Sequence, residues 1–242
     1  MVHSGGVTGL RDLWDFDDPA SSEQRFRAAA AEAEGSERLV LLTQVARALG
    51  LQERYDDGHA VLDHLAVGDE LVAAHVALER GRLLRSAGDP DAARPHFEAA
   101  ERSAATVGDH ALRVDAVHMV ALVVEPDERL AVNERALELA RHSGDPAARD
   151  WDASLLTNIG MIHVDAGGWP AALTSFEQAL VARERIGHPG DVRVARWMVA
   201  WALRHLGRTE EALAVQRGLR AELDAAGLDD PYVDEELALL EP

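Results

Sequence analysis

The chain has 242 residues, of which 47% are apolar but only 5% aromatic, a composition that favours close-packed helices over sheet. Its formal charge of −19 argues against nucleic acids and anionic membranes as the main ligands, since the chain repels phosphate overall. The sequence contains no cysteine and no lysine, which excludes disulfides, thiolate metal sites, cysteine nucleophiles and lysine Schiff-base chemistry.

The N-terminal segment, residues 1–18, is acidic and contains Trp14 and Phe16. It lacks the basic stretch and apolar core of a secretory signal, and no apolar run of the chain approaches the roughly 18 residues that cross a bilayer. We therefore expect a cytoplasmic protein. Residues 1–18 are expected to be flexible, or to pack on the first helices or in a groove, where Trp14 and Phe16 would act as an internal pseudo-ligand.

A helix is predicted next, within residues 19–36. The stretch Ser21-Ser22-Glu23-Gln24 has the pattern of a capping box, in which a serine and a glutamate or glutamine satisfy the first backbone N–H groups. This box places the helix over about 20 to 34.

Five copies of one pattern follow over residues 37–228, at intervals of roughly 36 to 43 residues, which is typical of stacked helical repeats. In chain order the copies occupy residues 41–65, 75–104, 114–140, 155–180 and 195–223. The fourth copy is the most complete, with Gly160, Gly167, Ala172, Phe176 and Ala179 at the marked positions.

Each marked position has a physical reason. The first small residue lets a second helix approach closely, and the second glycine ends the first helix in a left-handed conformation. A helix-start signal such as Asp89-Pro90 or Pro170 follows. The final Ala, Phe and Ala lie on one face of the second helix and pack on the first. After the last copy, DPYVDEELALL predicts a C-terminal capping helix within residues 229–242.

This pattern resembles the tetratricopeptide repeat family. The residues that carry the resemblance most completely are Ile159, Gly160, His163, Gly167, Ala172, Phe176 and Ala179. The chain departs from the family at the usual tyrosine, which is His163 or Leu203 here, and in its long second helices, a form found among bacterial regulatory and peptide-sensing relatives. The resemblance implies an all-α, right-handed α-solenoid of about five helix-turn-helix repeats, with an N-terminal lead helix and a C-terminal capping helix.

The resemblance also implies that the first helices of successive repeats line a concave groove, where a protein or peptide would bind. The helical period predicts that the following residues point into it: His75, Glu79, Arg82, Asp115, His118, Asn158, Met161, Asp165, Trp197, Trp201 and Arg204. Two tryptophans beside Arg204 have the composition of a binding hot spot. The alternative is that these are ordinary solvated or helix-packing side chains.

Other chemistry has little support in the sequence. The carboxylate clamp of chaperone-binding relatives uses lysine, asparagine and arginine, and here Arg82, Arg196 and Arg204 would have to substitute. His75 with Glu79, and His59 with His64, offer too few ligands for a metal site, so no metal or cofactor is expected. Asp115 and His118 are adjacent merely because every helix brings residues i and i+3 together, so no catalysis is expected.

The leading hypothesis is a non-catalytic scaffold that binds a protein or peptide in the groove. A second hypothesis is a small-molecule or signal-peptide sensor that regulates a partner protein, and a closed pocket of several hundred Å³ would favour it. An enzyme with a His/Asp site in the groove is a distant third. No stretch of the sequence demands self-association.

Overall fold

The computed structural model describes residues 10–241, which form helices joined by short connections, with no strand among them. A short 3-10 helix at Leu10–Leu13 precedes the α-helices. The α-helices are α1 Pro19–Glu32, α2 Gly35–Leu51, α3 Tyr55–Asp63, α4 Glu70–Ser86, α5 Pro90–Val107, α6 His110–Ala121, α7 Arg129–Arg141, α8 Pro146–Arg149, α9 Trp151–Asp165, α10 Trp169–Ile186, α11 Pro189–His205, α12 Thr209–Ala226 and α13 Pro231–Leu240.

The predicted copies correspond to successive helix pairs. The pairs are α2 with α3, α4 with α5, α6 with α7, α9 with α10, and α11 with α12. The glycines between the helices of the second, fourth and fifth pairs, Gly88, Gly167 and Gly207, have φ values of 93°, 72° and 73°. The prediction of an all-helical repeat with left-handed glycines at the helix ends is therefore confirmed.

The paired helices approach closely where a glycine faces a phenylalanine. A Cβ atom built on Gly81 would lie 2.5 Å from Cε1 of Phe97, and one built on Gly160 would lie 2.3 Å from Cε1 of Phe176. Both distances are shorter than any real carbon contact, so a side chain at either glycine would push the ring away. Both phenylalanines are buried, as the repeat pattern requires.

The first helix begins earlier than the sequence pattern predicts. The N-cap of α1 is Asp18, whose carboxylate accepts the backbone N–H of Ser21 at 3.0 Å, and Pro19 takes the first helical position. Ser22 is buried, and its hydroxyl donates to the carbonyl of Asp15 at 2.8 Å. The capping-box prediction is wrong, because Asp18 is the N-cap and the hydroxyl of Ser22 bonds to the segment that precedes the helix.

The helix expected within residues 19–36 ends at Glu32, and α2 begins at Gly35 with a φ of 57°. At the other end of the chain, α13 lies inside the segment expected to cap the repeats, with Val233 buried against Leu219 and Leu223 of α12. The division of the chain at residues 18, 36 and 228 itself stays a prediction.

The chain forms two compact units. Unit 1 runs to Leu139 and includes Ser143–Ala148, whereas unit 2 comprises Ala140–His142 and the chain from Arg149 onward. The core of unit 1 contains Phe26 between α1 and α2, and Phe97 between α4 and α5. The core of unit 2 contains Phe176 between α9 and α10, and extends through α11 and α12 to α13.

Candidate functional site

Three of the five predicted groove residues of unit 1 form a network of ion pairs between α4 and α6. Arg82 of α4 donates from Nη2 to both carboxylate oxygens of Asp115 on α6, at 2.5 and 2.7 Å. Its Nη1 donates to Oε1 of Glu79, one turn earlier on α4, at 2.5 Å. Glu79 is fully buried. The expectation that Glu79 faces a ligand is therefore wrong, since its side chain is enclosed and holds Arg82 in place.

The charges of this network support one another. Burial opposes the charge on Arg82, but Asp115 and Glu79 outweigh it and raise the pKa of the guanidinium. Burial alone would raise the pKa of Asp115, yet Arg82 and Arg47 hold it below its ordinary value. Both partners are ionised at neutral pH, and this charge-assisted pair joins the first helix of one repeat to the first helix of the next.

His75 and His118, the histidines of the predicted set, are favoured in their neutral form. Burial lowers the pKa of each, and the nearby carboxylates of Glu79 and Asp115 only partly offset it for His75. The Nδ1 atom of His75 is buried and has no hydrogen-bond partner among the residues that the structure describes. Across residues 10–241, no group of three or more His, Cys, Asp or Glu side chains has a geometry that could hold a metal ion.

The N-terminal lead packs on the first two α-helices. The rings of Trp14 and Phe16 stack with centroids 4.8 Å apart, and Trp14 also meets Phe26 of α1 at 4.9 Å. The guanidinium of Arg47 on α2 lies 5.3 Å from the ring centre of Trp14, and the indole N–H donates to Gln44 at 3.2 Å. The described part of the lead, residues 10–18, is thus fixed to α1 and α2, and residues 1–9 lie outside the described chain.

Unit 2 brings its predicted tryptophans together with aromatic residues that sequence analysis missed. We call Trp169, Trp197, Trp201, His205 and Tyr232 the aromatic cluster. Trp197 and Trp201 of α11 stack at 5.8 Å, and Trp201 meets Trp169 of α10 edge-on at 5.0 Å. His205 stacks on Trp169 at 3.8 Å, and Tyr232 of α13 meets Trp197 at 6.1 Å.

The aromatic cluster is only partly covered. Trp197 and Trp201 are half-buried, whereas 64% of Tyr232 is exposed. The indole N–H of Trp197 donates to the backbone carbonyl of Tyr232 at 3.1 Å. No described residue accepts a hydrogen bond from the indole N–H of Trp201 or Trp169. The cluster therefore combines apolar surface with two available donors.

The arginines of unit 2 find their carboxylates inside the chain. Arg204 donates from Nε and Nη2 to the two carboxylate oxygens of Glu236 on α13, at 2.7 and 2.8 Å, and this bond raises the pKa of Arg204. Arg196 pairs with Glu222 of α12. A carboxylate clamp built from Arg82, Arg196 and Arg204 would have to displace these partners, so the structure gives it no support.

The other predicted residues of unit 2 lie on α9. Met161 packs against the same core as Trp201, whereas Asn158 is half-buried on α9. Asp165 is exposed at the last residue of α9 and makes no ion pair within the described chain. Sequence analysis could have added Trp169 and His205 to the candidate site, because Trp169 is the first residue of α10 and His205 is the last residue of α11, the helix that carries Trp197 and Trp201.

Comparison with known proteins agrees with this architecture. Residues 153–186, covering most of α9 and α10, match the family model described as tetratricopeptide repeat. No curated protein matches the chain in sequence.

Several solved structures share the fold. The apo form of RapI has a TM-score of 0.72 and 12% identity, covering 97% of this chain and 68% of that one. The apo form of the quorum sensor NprR from B. thuringiensis has a TM-score of 0.64 and 17% identity, covering 97% and 67%. A signal transduction ATPase with numerous domains and a tetratricopeptide repeat sensor, from Pyrococcus horikoshii, has a TM-score of 0.69 and 13% identity, covering 90% and 35%.

The fold of this chain is thus that of tetratricopeptide-like helical repeat proteins, with a repeat of that family at residues 153–186. Among the described residues, none of the helices has the length and apolarity to cross a membrane.

Proposed function

We propose that this chain is a non-catalytic, cytoplasmic repeat module that binds a peptide, or an extended segment of a partner protein, on the aromatic cluster of unit 2. The observation that carries the proposal is the stack of half-buried rings on α10 and α11. In the described part of the chain, the indole N–H groups of Trp169 and Trp201 have no acceptor.

The chemistry of the cluster suits a peptide. Exposed aromatic faces lose little conformational entropy on binding and bury a large area, and tryptophan and tyrosine are enriched among the residues that dominate binding energy. A peptide also supplies backbone carbonyl groups, which would accept from the indole N–H groups of Trp201 and Trp169. Met161 would add apolar contact beside them. Arg204 is held by Glu236 at the edge of the cluster and would contribute to orientation through its remaining N–H groups.

Proteins of the same fold support a peptide as ligand. The structure of NprR is known in complex with its cognate peptide NprX, and a Rap protein is known complexed with competence and sporulation factor. These likenesses, at 16% and 15% identity, concern the fold, so the support for a peptide site here comes from the aromatic cluster itself.

The experiment selects binders from a random-peptide phage library on the wild-type chain and measures their affinities by fluorescence anisotropy. Trp201→Leu and Trp169→Leu keep an apolar side chain but remove the ring and its N–H donor. We expect each to weaken binding roughly tenfold or more, because hot-spot aromatics carry a large share of binding energy.

The matched control is Val181→Ala, which removes an apolar side chain of the same unit that is 66% exposed on α10. Binding by this variant should equal that of the wild type. Selected peptides that bind Trp201→Leu and Trp169→Leu as tightly as the wild type would refute the aromatic cluster as the site, provided that circular dichroism shows both variants folded.

A further inference from the structure

A cavity in unit 1 lies between the second helices of two successive repeats, α5 and α7, with α6 beneath them. Its volume is about 410 Å³, which is within the range of small-molecule pockets. Four arginines line it, Arg94 and Arg102 from α5, Arg113 from α6 and Arg135 from α7. The cavity is separate from the aromatic cluster, which belongs to unit 2.

The charge of this cavity is opposite to that of the chain. Four arginines against two glutamates, Glu98 and Glu101, give its lining a net charge of +2, whereas the chain carries −19. The two glutamates are already engaged. Glu98 accepts from Arg94 at 3.0 Å, and Glu101 accepts from Arg135 at 2.5 and 3.1 Å.

The other two guanidinium groups lack such partners. The Nε atom of Arg113 is buried and has no hydrogen-bond acceptor among residues 10–241, and its Nη2 lies 3.9 Å from Oε1 of Glu101, beyond hydrogen-bond distance. Arg102 makes no side-chain hydrogen bond or ion pair within the described chain. Burial of Nε leaves the two Nη groups as the accessible donors of Arg113, and the planar fork that they form matches the two oxygens of a carboxylate.

The floor of the cavity is apolar. Val120 at the end of α6 and Val124 after it are both 4% exposed, and Val132 of α7 packs on the same core. Ala105 of α5 closes the lining beside them. A simple inorganic anion would use the arginines but leave Val132 and Ala105 in contact with water.

We propose that this cavity binds a small organic carboxylate with a short aliphatic chain. The carboxylate accepts from the two Nη groups of Arg113, with Arg102 as the second cation, and the aliphatic chain lies on Val132 and Ala105. The net positive charge of the lining and the Nη groups of Arg113 select the anion, and Val132 with Ala105 selects its apolar body. This proposal does not depend on peptide binding by unit 2.

The experiment titrates the full chain with three probes in isothermal calorimetry and in NMR spectra of the arginine Nε–H groups. Hexanoate carries both the carboxylate and the aliphatic chain, 1-hexanol lacks the charge, and inorganic phosphate lacks the apolar body. We expect hexanoate to bind with a dissociation constant on the order of 1 mM, and each of the other probes to bind at least roughly tenfold more weakly.

Variants assign the carboxylate to its arginine. Arg113→Gln removes the fork and should weaken hexanoate binding at least roughly tenfold, because a charge-assisted bidentate pair is lost. Arg113→Lys keeps the charge but not the planar fork, so its affinity for hexanoate should lie between those of the wild type and of Arg113→Gln. Arg38→Gln makes the same change of charge at an exposed residue of α2 and should leave binding unchanged.

Four results would overturn the proposal. Equal binding of phosphate and hexanoate would show a plain anion site, and equal binding of hexanol would show that the arginines do not select the ligand. If Arg113→Gln and Arg113→Lys bound hexanoate as tightly as the wild type, the carboxylate would not bind to Arg113. If the folded wild type did not bind hexanoate, the cavity would not be a site for such carboxylates. Circular dichroism confirms folding of each variant.

Discussion

The two helices of a repeat meet where a glycine of the first helix faces a side chain of the second. In two copies the facing residue is phenylalanine, as with Gly160 and Phe176. In the fifth copy the pair is Ala200 and Gln216, both fully buried. The fifth copy thus has the methyl group of an alanine in place of the glycine, and a glutamine in place of the phenylalanine ring. This indicates that the residue on the first helix and the residue facing it on the second share one volume.

Gly160→Ala should destabilise unit 2. The new methyl group would lie 2.3 Å from the ring of Phe176, and overpacking of this kind costs about 1–3 kcal/mol, against a gain in helix propensity of about 1 kcal/mol. Urea unfolding measures the difference. The double variant Gly160→Ala/Phe176→Leu should lose less than the sum of the two single variants, whereas strict additivity would show that the ring does not set the helix spacing.

The half-buried His75 makes stability depend on pH. Burial lowers its pKa in the folded chain, although Glu79, Asp109 and Asp115 oppose this and Arg82 adds to it. A histidine whose folded pKa is lowered binds its proton more readily when unfolded, so stability is full above the unfolded pKa of about 6.5 and falls below it. Between about pH 7.5 and about pH 5.5, the wild type should lose more free energy of unfolding than His75→Leu does. Equal losses in urea titrations at both pH values would contradict this.

At the scale of elements, α13 covers the end of unit 2. Val233 is buried against α12, and Glu236 pairs with Arg204 of α11. Glu236→Gln should lower the free energy of unfolding by about 1–3 kcal/mol, because a charge-assisted bidentate pair is lost. Deletion of residues 229–242 should cost more, since it also exposes Leu219 and Leu223.

Urea unfolding followed by tryptophan fluorescence measures both variants, because urea does not screen ion pairs and all the tryptophans except Trp14 lie in unit 2. As a control, Glu235→Gln changes the neighbouring exposed residue of α13 and should leave stability unchanged. A deletion variant as stable as Glu236→Gln would mean that α13 contributes only its ion pair and does not cap the hydrophobic core.

Sequence analysis predicted the elements better than the contacts between them. The helix pairs follow from a local pattern of small and aromatic residues, in which Gly160 and Phe176 are unmistakable. The N-cap of α1 was missed because Asp18-Pro19 and the box at Ser21 are both start signals, and the choice depends on the burial of Ser22 against the lead.

The composition of the candidate sites was harder to predict. Sequence analysis assigned no carboxylate partner to Arg82 or Arg204. In the structure Arg82 pairs with a carboxylate 33 residues further along the chain, and Arg204 with one 32 residues further along. That separation is close to one repeat, so a glutamate or aspartate one repeat after an arginine is the signal that could have predicted the pairs. The choice among several such carboxylates depends on how the helices pack.

At the scale of the whole molecule, the chain consists of repeats that contact mainly their neighbours, and its contacts divide into two units. The stability of such proteins is close to a sum of local terms, so a local change weakens its own neighbourhood first. Gly81 and Gly160 offer a matched pair of perturbations, because alanine at either position meets a phenylalanine ring at 2.5 or 2.3 Å, one in each unit.

Native-state hydrogen exchange should therefore distinguish the two variants. Gly81→Ala should speed exchange of the core amides of α4, α5 and α6 in unit 1 and leave those of α10 and α11 in unit 2 unchanged, and Gly160→Ala should do the reverse. Gly68→Ala, where a Cβ atom meets nothing within 4 Å, is the control for the substitution itself. If both variants speed exchange in both units to the same degree, the chain unfolds as a single cooperative body, and the two sites proposed here would then share one stability rather than two.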